Sequence, residues 1–413
     1  FWQRETSRRK KGVFIKAKLY YKDIPKFFDA NTTDEERESL LQPLRITGAH
    51  YTYLNYGRIE RTPNDKERAR LKREGAEHVE TVMGFPRYWD GDYWNFKIDE
   101  FIANNKFHLT KAKARRKGFS YKRGSQAANT INLFPNVTVT LAADQLAYLT
   151  DKGATTFMAK KCLDHFEEHT FWRRGYISEA IDDILLGYRV STKGLKNFGW
   201  LSNLYSVAIG KNESAAVGKK AIEIDFEEAG KCPNLQKALD VTLSNTESGA
   251  ISVGTIRVYG TGGTKGANWA AFSKAFYNPK MNKMLCMENV WDINKRHEVC
   301  GFFFPQVWDC EPYVERGNSI IFTAYAWDKQ DKENHFHNND SETHIIYKAQ
   351  RANTPAEAFI NTTENMFASP ELNLHVSDLI NDNATRFFQD GWIVVNDLGN
   401  SNRAEFIPKA ECI

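Results

Sequence analysis

The sequence predicts an α/β protein with a mostly parallel central sheet flanked by helices, and three observations carry that expectation. Phe107-His108-Leu109-Thr110 reads as a short strand, a basic turn at Gly118 follows, and apolar residues recur at helical spacing from Tyr121 to Phe134. The β-rich run Val137 to Leu141 leads into a helical pattern from Gln145 to Glu168. Two further strands, Ala221 to Phe226 and Ile256 to Tyr259, run directly into polar residues. Alternation of strand and helix closes as a parallel sheet. Polar residues at the carboxyl ends of its strands mark the edge where ligands bind, because loops and helix N-termini meet there.

Composition bounds the rest. The 413 residues, 41% hydrophobic and 13% aromatic, can bury one large core or two medium ones. No run approaches the roughly 20 apolar residues of a membrane span. Arg4, Arg8, Arg9, Lys10 and Lys11 are not followed by the apolar core of an export signal. Six cysteines without a C-x-x-C pair point to a reducing cytosol. His297, Cys300, Cys310, His335 and His337 fit no compact zinc spacing and read as ordinary structure. A net charge of +4 excludes a uniformly basic surface, so contact with nucleic acid must come from local patches. One patch, Arg8 to Lys11, reads as a solvated tail. The other runs through Lys111, Lys113, Arg115, Arg116, Lys117, Lys122 and Arg123 with no acidic residue inside it.

Along the chain, residues 1–100 form an accessory region with charged helical stretches at Asp34 to Leu41 and Lys66 to Glu80, and aromatic clusters at His50 to Tyr56 and Phe85 to Phe96. Residues 101–355 form the core, of which 300–350 read as aromatic-rich and irregular. Residues 356–413 read as a small C-terminal linking subdomain.

Phosphate binding needs a tight loop with inward N–H groups, a cation for the β and γ phosphates and a hydroxyl for Mg²⁺. Lys113-Ala114-Arg115-Arg116-Lys117-Gly118-Phe119-Ser120 has a strand before it, Gly118 at the turn and Ser120 at the helix start. Lys113 stands where the first Gly of G-x-x-x-x-G-K-[ST] belongs and Phe119 where the Lys belongs, which leaves open a basic helix start that touches nucleic acid or solvent. Hydrolysis needs a carboxylate for the metal and another to orient water, and Glu227 and Glu228 follow a strand in that order. Glu223 and Asp225 complicate the picture, since a buried central strand should be apolar on both faces. A register that brings Asp225 to the metal also stays open.

Taken in order, these motifs resemble those of phage large terminases. Lys113 to Ser120 is similar to their deviant phosphate loop, Phe226-Glu227-Glu228-Ala229-Gly230 to their acidic motif, and Gly260-Thr261-Gly262-Gly263-Thr264 to their coupling motif. Phe276 to Pro279, Cys300 to Pro305 and Thr354 to Phe359 also resemble family segments, so the likeness covers roughly residues 50 to 370. The resemblance implies a P-loop NTPase fold of the additional-strand, catalytic-glutamate type, with ATP and Mg²⁺. Lys113 to Ser120 would bind ATP, Ser120 and Glu227 would place Mg²⁺, Glu228 would polarise the water, and Gly260, Thr261 and Gly262 would couple hydrolysis to movement.

Tyr88, Trp89 and Tyr93 are candidates to stack on adenine, with a plain hydrophobic cluster as the other reading. An Arg-Gly pair often found before the acidic strand is Val217-Gly218 here, leaving Lys219, Lys220, Arg173 or Arg174 as the trans-acting cation. The implied partners are double-stranded DNA, a portal protein and a small terminase subunit, with copies of the chain in a ring in the host cytoplasm and no membrane. Only 43 residues follow Pro370, too few for the family's nuclease domain, so translocation without cutting is expected. A helicase-like ATPase and a nucleic-acid-binding structural protein with an inactive nucleotide site are the competing readings.

Overall fold

The structure, a computed structural model, describes residues 1–15, 44–76, 78–191, 194–217, 220–248, 251–262, 267–360, 370–381, 391–397 and 402–408. Its centre is an eight-stranded sheet: β1 (Leu109–Lys113), β2 (Thr138–Ala143), β3 (Tyr176–Ala180), β4 (Asp183–Leu186), β5 (Asn203–Ala208), β6 (Glu223–Phe226), β7 (Thr255–Thr261) and β8 (Phe302–Phe304). The spatial order is β8-β1-β7-β6-β2-β5-β4-β3. The first six strands in that order pair in parallel, and β4 and β3 add antiparallel pairs at one edge. The expected α/β class with a mostly parallel sheet is therefore observed. Strands β3, β4 and β5 are not anticipated by the sequence patterns.

Helices cover both faces. On one lie α1 (Trp2–Lys11), α2 (Gly48–Tyr56), α3 (Asp90–Asn105), α4 (Phe119–Leu133) and α5 (Thr155–His169); on the other lie α6 (Leu235–Leu243) and α7 (Ala267–Tyr277). Alternation along the strands serves both layers. Ile224 and Phe226 of β6 pack with Leu235, Leu239, Phe272 and Phe276, while Val139 and Leu141 of β2 pack with Ala127, Ile131, Leu163 and Phe166. Each fully buried large side chain of this kind contributes about 1.5–3 kcal/mol.

The opposite face of β6 is not apolar. Glu223 and Asp225 point at α4, where Arg123 Nε donates to Asp225 at 2.5 Å and Thr130 Oγ1 donates to Glu223 at 3.0 Å. Arg257 of β7 closes the group, with Nη1 3.1 Å from Glu223 and 3.3 Å from Asp225, and Nε 3.1 Å from Asp99 of α3. Lys111 of β1 completes the layer, 2.7 Å from Asp99. A strand that breaks the apolar rule is accommodated because every carboxylate meets a cation. The register that would bring Asp225 to a metal is overturned, because both its oxygens face arginines.

Three further expectations change. Segment 300–350 is not irregular: α8 (Ile321–Asn338) and α9 (Ser341–Gln350) fill its second half. α8 has no apolar stripe for a pattern search to find, because the residues it buries are Ala324, Asp328 and Lys332, the last two paired with each other at 2.7 Å. The Arg8 to Lys11 patch is not a solvated tail. It ends α1, and Arg9 lies buried with Nε 3.0 Å from Asn129 and both Nη atoms 3.1 Å from Asn132 of α4. The helical pattern from Gln145 divides into Ala147–Thr150 and α5. Lys66 to Glu80 is helical only as far as Arg73, in the helix Asp65–Arg73, whereas Asp34 to Leu41 lies outside the described residues. Among the described residues no helix is long and apolar enough to cross a membrane.

Candidate functional site

The carboxyl edge of the parallel strands gathers the motif residues. Lys113 ends β1 and is in register with Thr261 of β7 on one side and Phe304 of β8 on the other. Residues 114–118 form the loop, with Arg116 at φ 61° and Gly118 at φ 66°, and α4 starts at Phe119 with no side chain capping its first turn. That leaves the positive end of a fifteen-residue helix facing the loop.

Ser120 Oγ, in the first turn of α4, donates to Glu227 Oε1 at 3.0 Å. Glu227 sits one residue beyond β6, its N–H bonded to Ala142 O at 2.8 Å. Burial, with the Glu228 charge adding to it, pushes the Glu227 carboxyl up to about 7, although Thr155, Ser120 and Lys113 each pull it down. Glu228 takes the left-handed conformation at φ 50° and keeps 26% of its side chain exposed. Its oxygens lie 4.0 Å from Lys113 Nζ and 4.0 Å from Lys231 Nζ. Left-handed backbone at a non-glycine residue costs of order 1–3 kcal/mol and persists only where the surroundings impose it. Gly260 supplies part of that surround. A Cβ there would stand 2.8 Å from Ala229 N and 3.3 Å from Glu228 C, so the end of β7 can lie against the acidic turn only as glycine.

The basic run divides. Lys113, Arg115 and Arg116 remain at the edge, the two arginines exposed. Lys111, Lys122 and Arg123 are committed inside, Lys122 to Asp92 of α3 and, at 3.7 Å, to Asp309. Lys117, expected among the phosphate ligands, turns away: its ammonium donates to Gln306 O and Trp308 O, each at 2.6 Å. Burial pushes its pKa down to about 8, against the pull of Asp309. Phe119 is likewise a packing residue, buried edge-on against Phe304 at 5.4 Å. The N–H groups of Ala114 and Arg115 are already bonded, to Phe304 O at 2.9 Å and Gln350 O at 2.8 Å. These four residues shape the loop without presenting those groups to a ligand.

Of the aromatic candidates, only Trp89 lines the pocket of about 230 Å³ beside the loop, together with Arg116, Gly118 and Tyr121. That volume lies below the ~300–1,000 Å³ of a whole small-molecule site and suits one part of a nucleotide. Tyr88 instead stacks on His50 at 5.6 Å, and Tyr93 is buried beside Ile46 and Tyr51. Among the trans-acting candidates, Arg174 is held by Asn132 O at 3.1 Å and by the Trp200 ring at 3.5 Å, while Arg173 is exposed. Lys220 is exposed; Gly218, Lys219, Gly263 and Thr264 lie outside the described residues. Gly262 lies against Ala358, whose O is 1.6 Å from where a Cβ would stand.

Sequence reasoning missed Thr155, whose Oγ1 donates to Glu227 Oε2, as well as Lys231 and Tyr121. Thr155 lies in no motif, and only the packing of α5 brings it to Glu227. Cys300 and Cys310 fall in separate apolar clusters, and no group of three His, Cys, Asp or Glu able to hold a metal occurs among the described residues. One carboxylate and one hydroxyl 3.0 Å apart still fit Mg²⁺, which binds through one or two carboxylates together with substrate phosphates.

No family model matches the chain, and no curated protein matches it. Among solved structures it is similar to the Thermus phage P74-26 large terminase ATPase domain, at TM-score 0.36 and 13% identity over 66% of this chain and 92% of that one. It is similar to the HK97 bacteriophage large terminase at TM-score 0.36 and 16% identity, over 66% of this chain and 51% of that one. It also matches a large terminase from a thermophilic bacteriophage, solved in complex with ADP, at TM-score 0.27 and 13% identity over 38% of this chain and 35% of that one.

Proposed function

We propose that the chain is a Mg²⁺-dependent ATPase of the P-loop class and serves as the motor that moves double-stranded DNA into a viral shell. The observation that carries the nucleotide reading is the Ser120–Glu227 hydrogen bond of 3.0 Å beside the Lys113–Glu228 pair at 4.0 Å, all at the carboxyl edge. β7 lying between β1 and β6 supports the additional-strand subclass. The order of phosphate loop, acidic motif and coupling motif supports the motor reading.

In this reading Lys113, Arg115 and Arg116 hold phosphates, and Trp89 and Tyr121 flank the base. Ser120 and Glu227 hold Mg²⁺, which when bound neutralises phosphate charge. Glu228 accepts a hydrogen bond from the attacking water and orients it. It is the more exposed of the two carboxylates, and it is kept from Glu227's role by the turn that directs it toward Lys113. Thr261, in register with Lys113, reports the state of the γ-phosphate along β7. The proposed partners are DNA, a portal, a small subunit and further copies of the chain in a ring in the host cytoplasm, with Arg173 and Lys220 as the exposed candidates to reach a neighbouring site.

The test compares Mg²⁺-dependent ATP hydrolysis by the chain and by Glu228→Gln. The variant is expected to keep nucleotide binding and lose about 10²–10⁴-fold in turnover, the range for a lost general base. If neither protein binds or hydrolyses ATP, even with DNA present, a DNA-binding structural protein with an inactive loop replaces the motor.

A further inference from the structure

Glu227 has two carboxylate oxygens, and only Oε1 faces Ser120. Oε2 accepts a hydrogen bond from Thr155, the first residue of α5, whose side chain has no exposed surface. The approach of α5 to the phosphate-loop helix is set by Gly124. A Cβ there would stand 2.7 Å from Thr155 O and 2.9 Å from Ala159 N, both backbone atoms that cannot swing aside. The helices therefore touch one turn beyond Ser120, and the contact delivers the threonine hydroxyl to the far side of the carboxylate. With no exposed surface, the hydroxyl is held against the carboxylate by packing.

We propose that Thr155 is a positioning residue that ties up Glu227 Oε2, so that the carboxylate offers Oε1 alone to the metal bound with the nucleotide. The proposal rests on the nucleotide-site reading above. Mg²⁺ demands near-octahedral geometry and keeps several waters. A carboxylate that offers one oxygen leaves coordination positions for Ser120, phosphate and water. Hydrogen-bond partners of metal-binding carboxylates fix their orientation, and losing one typically costs about 10–100-fold in metal affinity or activity.

The test titrates Mg²⁺ against binding of a fluorescent ATP analogue to the full chain, with a parallel measurement in EDTA. Thr155→Val, which keeps the shape and loses the hydroxyl, is expected to raise the half-saturating Mg²⁺ concentration about 10–100-fold while leaving affinity in EDTA unchanged. Thr155→Ser is expected to restore the wild-type dependence. Thr155→Ala must shift in the same direction as the valine variant, which covers the case in which valine disturbs folding. A wild-type Mg²⁺ dependence in the valine and alanine variants overturns the assignment, as does an equal loss with serine, which would make Thr155 a packing residue only. Absence of Mg²⁺-dependent binding in the wild-type chain overturns the nucleotide-site reading itself.

Discussion

At the carboxyl edge of the sheet Lys113 stands 4.0 Å from Glu228, and two residues earlier on the same strand Lys111 stands 2.7 Å from Asp99. The two lysines share a face of β1 but not an environment. Below the edge, Lys111, Arg123 and Arg257 meet Asp99, Glu223 and Asp225 in a closed group of three cations and three carboxylates. At the edge, Lys113 has one loose ion pair, Glu228 is partly exposed, and Arg115 and Arg116 face outward. Charge in the lower layer orients strands and helices, while charge at the edge is more loosely paired. Burial pushes Lys111 down to about 8, with Asp99 opposing, as expected of a cation committed to the interior.

Mutation at the two levels should separate them. The largest expected effect on folding is at Arg123. Arg123→Ala leaves Asp225 and Glu223 short of a partner and is expected to lower unfolding free energy by about 3–5 kcal/mol in denaturant titration; a loss below about 1 kcal/mol would mean that Arg257 alone can hold both carboxylates. At Lys113 the expectation reverses. Lys113→Ala should keep the denaturant midpoint near wild type yet reduce ATP turnover about 10²–10³-fold, as when one donor to developing charge is removed. Equal effects of the two variants on stability would erase the distinction between the layers.

The smallest effect is one of pH. Because the folded state holds Glu227 at about 7 against an ordinary 4.5, it retains a proton that the unfolded chain releases. Stability attributable to this residue therefore falls as pH rises from about 4.5 to about 7, and the penalty is fully present above that window. Glu227→Gln should gain on the order of 1–3 kcal/mol over wild type at pH 8 and little at pH 4.5. Unfolding curves at both pH values check this, and a pH-independent difference would show that the carboxyl keeps its ordinary affinity for the proton.

The architecture was legible where periodicity follows the backbone. Strand-loop-helix is found in the expected order, the strand at Leu109–Lys113 reaching three residues past its expected end at Thr110, and the strands expected at Ala221–Phe226 and Ile256–Tyr259 are found at Glu223–Phe226 and Thr255–Thr261; together they bring Lys113, Ser120, Glu227, Glu228 and Thr261 to one edge. The limits have a physical origin. A basic run looks uniform in sequence, but the loop after β1 and then α4 turn successive side chains to different sides, so Lys117 and Lys122 end in the interior although Arg115 and Arg116 do not. Glu223 and Asp225 complicate the strand in sequence, and a register bringing Asp225 to the metal stays open there, because their partners, Arg123 and Arg257, lie about a hundred and about thirty residues away in the chain. Thr155 was invisible for the same reason. Tyr88 and Tyr93 carry two readings in sequence, base stacker and plain hydrophobic cluster, because aromatic residues read alike whether they face His50, Tyr51 or a pocket.

Arg9 shows how far such partners can lie from the motifs they serve. Its guanidinium packs 4.2 Å from the Phe166 ring centroid and 4.1 Å from that of Trp172, and closes the side-chain amides of Asn129 and Asn132 on the helix that carries Ser120. A protease that clipped the first eleven residues would remove no motif. It would nevertheless leave the Asn132 amide oxygen without its Arg9 donor and Asn129 with Thr52 alone, and the helix that carries Ser120 would be the first to feel the loss. The smallest fragment able to hold the loop in shape thus begins well ahead of the loop.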